Sequence, residues 1–226
     1  FYKTTFHKII CVSKAISSDL KKLGFISEVI YNPIKKNRIK FNKSNKIVNS
    51  INNQLEFCTL GSFEKRKNID FLIQIAKFHS KYKFNNFINR FYLYNSNKKI
   101  IRELKNQINI KLFIGLNDDL LFKEMKKSKI YLSFSNYEGF GRTYIEAQNI
   151  GLPVIAFKNN VTDEILAKSS VIINKLSIKS FDNAVYKIMR NYKFYVQKSL
   201  LNSGRFDYLI FKKKFNQIVL NHIKKV

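Results

Sequence analysis

Residues 135–157 read SNYEGFGRTYIEAQNIGLPVIAF, and the fold follows from this stretch. Glu138 and Glu146 stand eight residues apart with Gly139-Phe140-Gly141 between them. An apolar run ending at Phe134 precedes the block, and a second run, Pro153 to Phe157, closes it. The pattern is strand, glycine turn, helix, strand. It sets a phosphate-bearing ligand on a helix N-terminus, where the first N–H groups have no partner inside the helix. The chain has seven glycines and two prolines in 226 residues, yet three of those glycines and one proline fall in this window. A sequence so poor in glycine tends to keep it where the backbone needs it.

The same alternation runs outward in both directions. Upstream, residues 8–12 and 28–31 read as short strands around a helix over 17–23 that begins on a serine and stops at Gly24. Asn32-Pro33 ends this part, and residues 34–53, polar and rich in Lys and Asn, are expected to form a linker. Then come a strand over 55–60, a turn from Gly61 to Lys67, and a helix over 68–79 with Ile69, Leu72, Ile73, Ile75 and Ala76 on one face. Further strands are expected at 91–94, 110–114 and 130–134. Helices are expected at 98–105 and from Asn117 or Asp118 to Lys127. A short strand at 171–173 and two or three helices fill the rest. Repeated strand–helix units with short connections predict an α/β fold, a Rossmann-like parallel sheet with helices on both faces. Ligands in such sheets bind beyond the carboxyl ends of the strands. The turns at Gly61 and Gly139 both follow a strand and precede a helix, so they are expected to meet in one crevice.

The net charge of +27 invites a nucleic-acid reading, in which the chain is a basic nucleic-acid-binding protein. Lys outnumbers Arg 35 to 7, however, whereas bidentate recognition of phosphates and bases favours Arg. The abundant Lys, Asn, Ile, Phe and Tyr share A/T-rich codons, so codon bias is the stronger explanation and no nucleic acid partner is expected. The same charge suits contact with an anionic membrane face. No apolar run approaches the roughly 18 residues of a membrane span. There is no initiator Met and no signal peptide, and Phe1 lies just before a strand, so the chain is expected to be a fragment that begins mid-domain. Cys11 and Cys58 lie in apolar runs and are expected to be reduced core residues. A cytoplasmic protein is therefore expected, with peripheral contact on the inner face of the cytoplasmic membrane as the further possibility. His7, His79 and His222 have no ligand spacing, and Asn117-Asp118-Asp119 reads as a helix cap, so no metal site is expected.

Glu138-Gly139-Phe140-Gly141, Glu146-Ala147 and Gly151-Leu152-Pro153-Val154 together resemble the E-x7-E block of glycosyltransferase family 4, whose members have the GT-B fold. The likeness extends in order along the chain. Val12-Ser13-Lys14-Ala15 and Tyr31-Asn32-Pro33 resemble the end of the family's first domain and the crossover. Gly61 to Lys67 resembles its phosphate turn, Phe113-Ile114-Gly115 its next landmark, and Glu164 in Thr162-Asp163-Glu164-Ile165 a further recurring glutamate. The resemblance implies a retaining transfer from a nucleoside-diphosphate sugar, UDP- or GDP-linked, to a polysaccharide, lipopolysaccharide or glycolipid acceptor, with no cofactor and no metal. It places residues 1–33 at the end of the acceptor-side domain, 34–53 in the linker and 54–226 in the donor-binding domain.

The resemblance also assigns roles. Glu138 is the catalytic candidate, near the donor sugar. Gly139, Phe140 and Gly141 present backbone N–H groups to sugar and diphosphate, with Thr143 beside them. Lys67 neutralises the diphosphate. Where the family commonly has an arginine after the first glycine, this chain has Ser62, so Arg66 or Arg142 is expected to supply that cation. Glu146 binds the nucleotide ribose, although Thr143-Tyr144-Ile145-Glu146 also fits a capping box, in which the glutamate folds back onto the cap residue. Ser62 leaves a second possibility, a binding module without turnover.

Overall fold

The computed structural model describes residues 9–34, 55–61, 63–79, 81–88 and 98–223. Among these residues two parallel sheets form. A small one pairs β1 (Ile9–Cys11) with β2 (Ser27–Val29) across α1 (Lys14–Lys22). The large one comprises β3 (Glu56–Leu60), β4 (Lys83–Ile88), β5 (Ile110–Ile114), β6 (Ile130–Ser133), β7 (Val154–Phe157) and β8 (Val171–Ile173). Its spatial order is β5-β4-β3-β6-β7-β8, with every pair parallel. The chain thus builds outward from β3 to one edge, then returns to β3 and builds toward the other.

Period-two alternation sorts the strand side chains into two cores. Phe57, Phe84, Ile130, Leu132 and Ile155 face α2 (Ile69–Phe78), α3 (Lys98–Lys105) and α7 (Ile178–Arg190). Cys58, Phe87, Tyr131, Val154 and Ala156 face α4 (Asp118–Met125), α5 (Arg142–Asn149) and α6 (Thr162–Leu166). The sheet is covered on both faces, as the strand–helix repeat predicts.

Local signals set the helix ends. Asn117, rather than Asp118, caps α4, its side chain accepting from the Leu120 N–H at 2.9 Å. Helix α1 begins at Lys14, ahead of the expected residue 17, because Ser13 caps it by accepting from the Ile16 N–H at 3.3 Å. Strand β4 has no counterpart in the sequence reading: Asn85 and Asn86 interrupt its apolar pattern. Phe84 and Phe87 nevertheless anchor it in opposite cores. The strand expected at 91–94 and nearly all of the expected linker lie outside the described residues. No helix among the described residues is long and apolar enough to cross a membrane.

The C-terminal region is α7, α8 (Tyr192–Ser203) and α9 (Tyr208–Ile223). A buried polar seam locks α8 to the helices behind the site. The Asn202 side chain donates to Gln148 Oε1 at 2.7 Å and to the Ile165 carbonyl at 2.9 Å, and Gln148 donates to Ser169 Oγ at 2.6 Å. Removing one partner strands the others without water. Asn202→Ala is therefore expected to lower stability by about 1–3 kcal/mol, visible as a fall of several degrees in thermal melting.

Candidate functional site

Strands β3 and β6 are neighbours at the point where the strand order reverses, with Phe57 opposite Ile130 and Cys58 opposite Tyr131. The loops leaving their carboxyl ends open into the same crevice, the usual ligand position in such a sheet. The turn after β3 closes in a 3-10 segment, Lys65–Lys67, and the loop after β6 carries Glu138. The two are laced together: the Asn136 N–H donates to the Arg66 carbonyl at 2.8 Å.

Charge pairing completes the junction. Lys67 Nζ donates to Glu138 Oε1 at 2.6 Å, and these side chains are 14% and 12% exposed. Arg66 Nη1 lies 3.3 Å from Glu138 Oε2 and donates to the Tyr137 carbonyl at 3.1 Å, while its Nε donates to Glu64 Oε2 at 2.6 Å. Two cations and two carboxylates therefore balance at the mouth of β3 and β6. An arriving polyanion would find cations that exchange partners rather than a bare positive hole.

Four neutral side chains hold the Glu138 loop. Asn68, left-handed at φ 50°, donates to the Phe134 carbonyl and to Asn136 Oδ1, each at 2.7 Å. Asn159 donates to the Ser135 carbonyl at 2.9 Å and to the Tyr144 hydroxyl at 3.0 Å. Asn160 accepts from the Glu138 N–H at 3.2 Å and donates to its carbonyl at 2.9 Å. Ser13 donates to the Gly139 carbonyl at 2.7 Å. The sequence reading gave none of these a role at the site. Asn159 and Asn160 carry a usable signal, since they lie just beyond the carboxyl end of β7, after Lys158.

The two glycines of the turn differ. Gly141 has φ 81°, and a Cβ there would sit 2.5 Å from Tyr144 Cδ2, so the chain's own packing demands glycine. The Tyr144 phenol is buried, which pushes its pKa up to about 12. A Cβ at Gly139 would meet nothing within 4 Å. The Phe140 ring is buried in a cluster with Tyr31 and Phe206, at centroid distances of 6.1 and 5.5 Å, so only its backbone is available to a ligand.

Helix α5 starts on Gly141, which makes Thr143 its second residue and rules out the capping box, since that motif needs the threonine at the cap itself. Thr143 lies beside the buried Tyr131, whose hydroxyl donates to the Leu60 carbonyl at 3.2 Å. Glu146 pairs with Arg142 Nε at 2.7 Å, so Arg66 rather than Arg142 is the arginine beside Glu138. Burial raises the Glu146 pKa, Arg142 partly offsets this, and Asp118 adds to the rise. Glu164 lies at the other end of the loop system and accepts from the Lys14 N–H at 2.8 and 3.1 Å, at the positive end of α1. Ser62 lies outside the described residues. Among the described residues no three His, Cys, Asp or Glu side chains gather as a metal site requires.

The sequence profile described as Glycosyl transferases group 1 matches residues 40–199. The chain belongs to the glycosyl transferases group 1 family. No curated protein matches it in sequence. Solved structures similar to this group 1 chain include sucrose-phosphate synthase from Thermosynechococcus elongatus, with TM-score 0.77 at 14% identity, covering 96% of this chain and 58% of that one. HepE from Anabaena in complex with UDP has TM-score 0.76 at 16% identity, covering 95% and 64%. The pneumococcal O-GlcNAc transferase GtfA in complex with UDP and GlcNAc has TM-score 0.67 at 17% identity, covering 95% and 45%. At these identities the likeness is one of fold. The group 1 chain spans 45% to 64% of the length of these structures.

Two outcomes follow from the site's geometry. Gly141→Ala is expected to destabilise the fold by about 1–3 kcal/mol, from left-handed strain and the clash with Tyr144, measured by urea titration. Glu146 has a folded-state pKa above its unfolded value, so it favours folding in acid, and that contribution is lost as pH rises through the folded-state pKa. Glu146→Gln removes this dependence. Relative to the parent, its melting temperature is expected to improve between pH 4 and pH 7, with little cost from releasing Arg142, which is 66% exposed. A pH-independent difference would contradict the assignment.

Proposed function

We propose that this chain is the donor-binding half of a retaining glycosyltransferase that moves a sugar from a nucleoside-diphosphate sugar to a polysaccharide, lipopolysaccharide or glycolipid acceptor. The observation that carries this reading is the Lys67–Glu138–Arg66 cluster where β3 and β6 end, beside a Gly139 whose missing side chain leaves open space. Lys67 and Arg66 would carry the negative charge that develops on the departing diphosphate, and the N–H groups opening α5 would add to it. Glu138 would exchange its cations for sugar hydroxyls and stabilise positive charge at the anomeric carbon. Glu146 would accept from the ribose hydroxyls. Burial that raises its pKa is a cost the fold bears for a placed carboxylate, as functional sites often do.

UDP is the first donor nucleotide to test, because UDP is present in the similar HepE and GtfA structures. The chemistry calls on no metal or cofactor. We place the protein in the cytoplasm, where its free cysteines Cys11 and Cys58 would stay reduced, with its positive charge available to an anionic inner membrane face. A second reading, nucleotide-sugar binding without turnover, is favoured by one observation: Glu138 already engages both cations.

Calorimetric titration with UDP- and GDP-sugars is expected to show saturable binding to at least one of them. Lys67→Ala is expected to weaken it about 10- to 100-fold, the size of a lost charged hydrogen bond. Gly139→Ala should melt like the parent yet lose donor affinity. No saturable binding to any donor by folded protein would reject the reading, and turnover with a glycan acceptor would exclude the second one.

A further inference from the structure

We propose that Asn160 is a positioning residue for Glu138, fixing the carboxylate by gripping its backbone rather than by touching a ligand. The Asn160 carboxamide meets Glu138 as a strand neighbour would: Oδ1 accepts from its N–H at 3.2 Å and Nδ2 donates to its carbonyl at 2.9 Å. Among the described residues these are the hydrogen bonds that hold the Glu138 backbone. With both peptide groups fixed, the side chain is directed at Lys67 Nζ, 2.6 Å away.

The grip is itself anchored. Asn159 accepts from the Val161 N–H at 3.0 Å and donates to the Ser135 carbonyl and the Tyr144 hydroxyl, and Thr162 Oγ1 donates to the Asn159 carbonyl at 3.1 Å. The loop after β7 is therefore a rigid arm, and Asn160 is its tip. Asn160 is also exposed. Truncating it removes little buried contact, so a change at the site cannot be put down to a weakened core. A rigid arm ending in an exposed carboxamide on the backbone of a half-buried carboxylate has a role in placing that carboxylate.

The role toward the donor rests on the function proposed above, whereas the role toward Lys67 does not, and the test separates them. The first measurement is a double-mutant cycle in thermal melting, Lys67→Met with Glu138→Gln, run with and without Asn160→Ala. The parent is expected to show non-additivity of about 3 °C, and Asn160→Ala alone to melt within about 2 °C of the parent, with the non-additivity at least halved in its background. Unchanged coupling would overturn the proposal whether or not any nucleotide binds. A melting loss of several degrees with coupling intact would also overturn it, as the mark of a merely structural residue.

The second measurement compares UDP with UDP-glucose and UDP-GlcNAc. Asn160→Ala is expected to leave UDP affinity within about threefold and to reduce the added affinity for the sugar by about tenfold. Equal loss toward UDP and the sugar nucleotides would count against positioning. If the parent binds none of these or the GDP-sugars, the proposed function fails while the melting cycle still decides the grip. Asn160→Asp keeps an acceptor for the N–H but loses the donor and sets a second negative charge near Glu138. It is expected to reduce coupling at least as much as Asn160→Ala, and full coupling in that variant would overturn the proposal.

Discussion

The site depends on one pairing, the parallel contact of β3 with β6. These strands are separated by two complete strand–helix units, yet Phe57 lies opposite Ile130 and Cys58 opposite Tyr131. The hydrogen bonds of that pairing bring the carboxyl ends of two remote strands together. From there the two loops leave on the same side, and Lys67 and Glu138, 71 residues apart, come within contact. Had the chain added its strands in simple sequence order, β3 and β6 would not be adjacent and the two loops would open at separate points along the sheet edge.

The charged residues pair across this junction, and neutral amides supply much of its geometry. Asn68, Asn159 and Asn160 bind the backbone of the β6–α5 loop from two other loops. An amide side chain can donate and accept at once, so it can stand in for a missing strand neighbour where the sheet has ended. Arg66 adds one bond, to the Tyr137 carbonyl, and the amides supply the rest of the side-chain grip on the loop backbone along with Ser13. The same composition that looks like codon bias across the whole chain has a local use here.

Much of the fold was legible because its signals are periodic. Apolar runs and glycine turns mark β3, β5, β6, β7 and β8, and helical spacing or caps mark α2 to α5, whereas the five-residue α6 is too short to show a period. Strand β4 was not legible, since Asn85 and Asn86 occupy positions where apolar residues would announce a strand. At the site, Glu138 and Gly141 stand in a strand–turn–helix pattern that was legible, and Lys67 was singled out by the resemblance of its turn to the family's. The capping box at Thr143 was a false signal, because the tight turn at Gly141 starts the helix two residues earlier. Asn160 was invisible for another reason: its meaning lies in a pairing with a residue 22 positions away that no local pattern encodes.

The hydroxyl of Ser13 bonds the Gly139 carbonyl across 126 residues of chain. Each long loop that must close before a contact forms carries an entropic cost, so contacts of high sequence separation are met late in folding. The β6–α5 segment can gain its helix and its sheet position from neighbours close in sequence, but its final shape waits for the first strand–helix unit to arrive. The Gly139 turn is therefore expected to be among the last parts of the molecule to set. A chain that has folded its large sheet without that unit would have every residue of the crevice in place except the conformation that makes them act together.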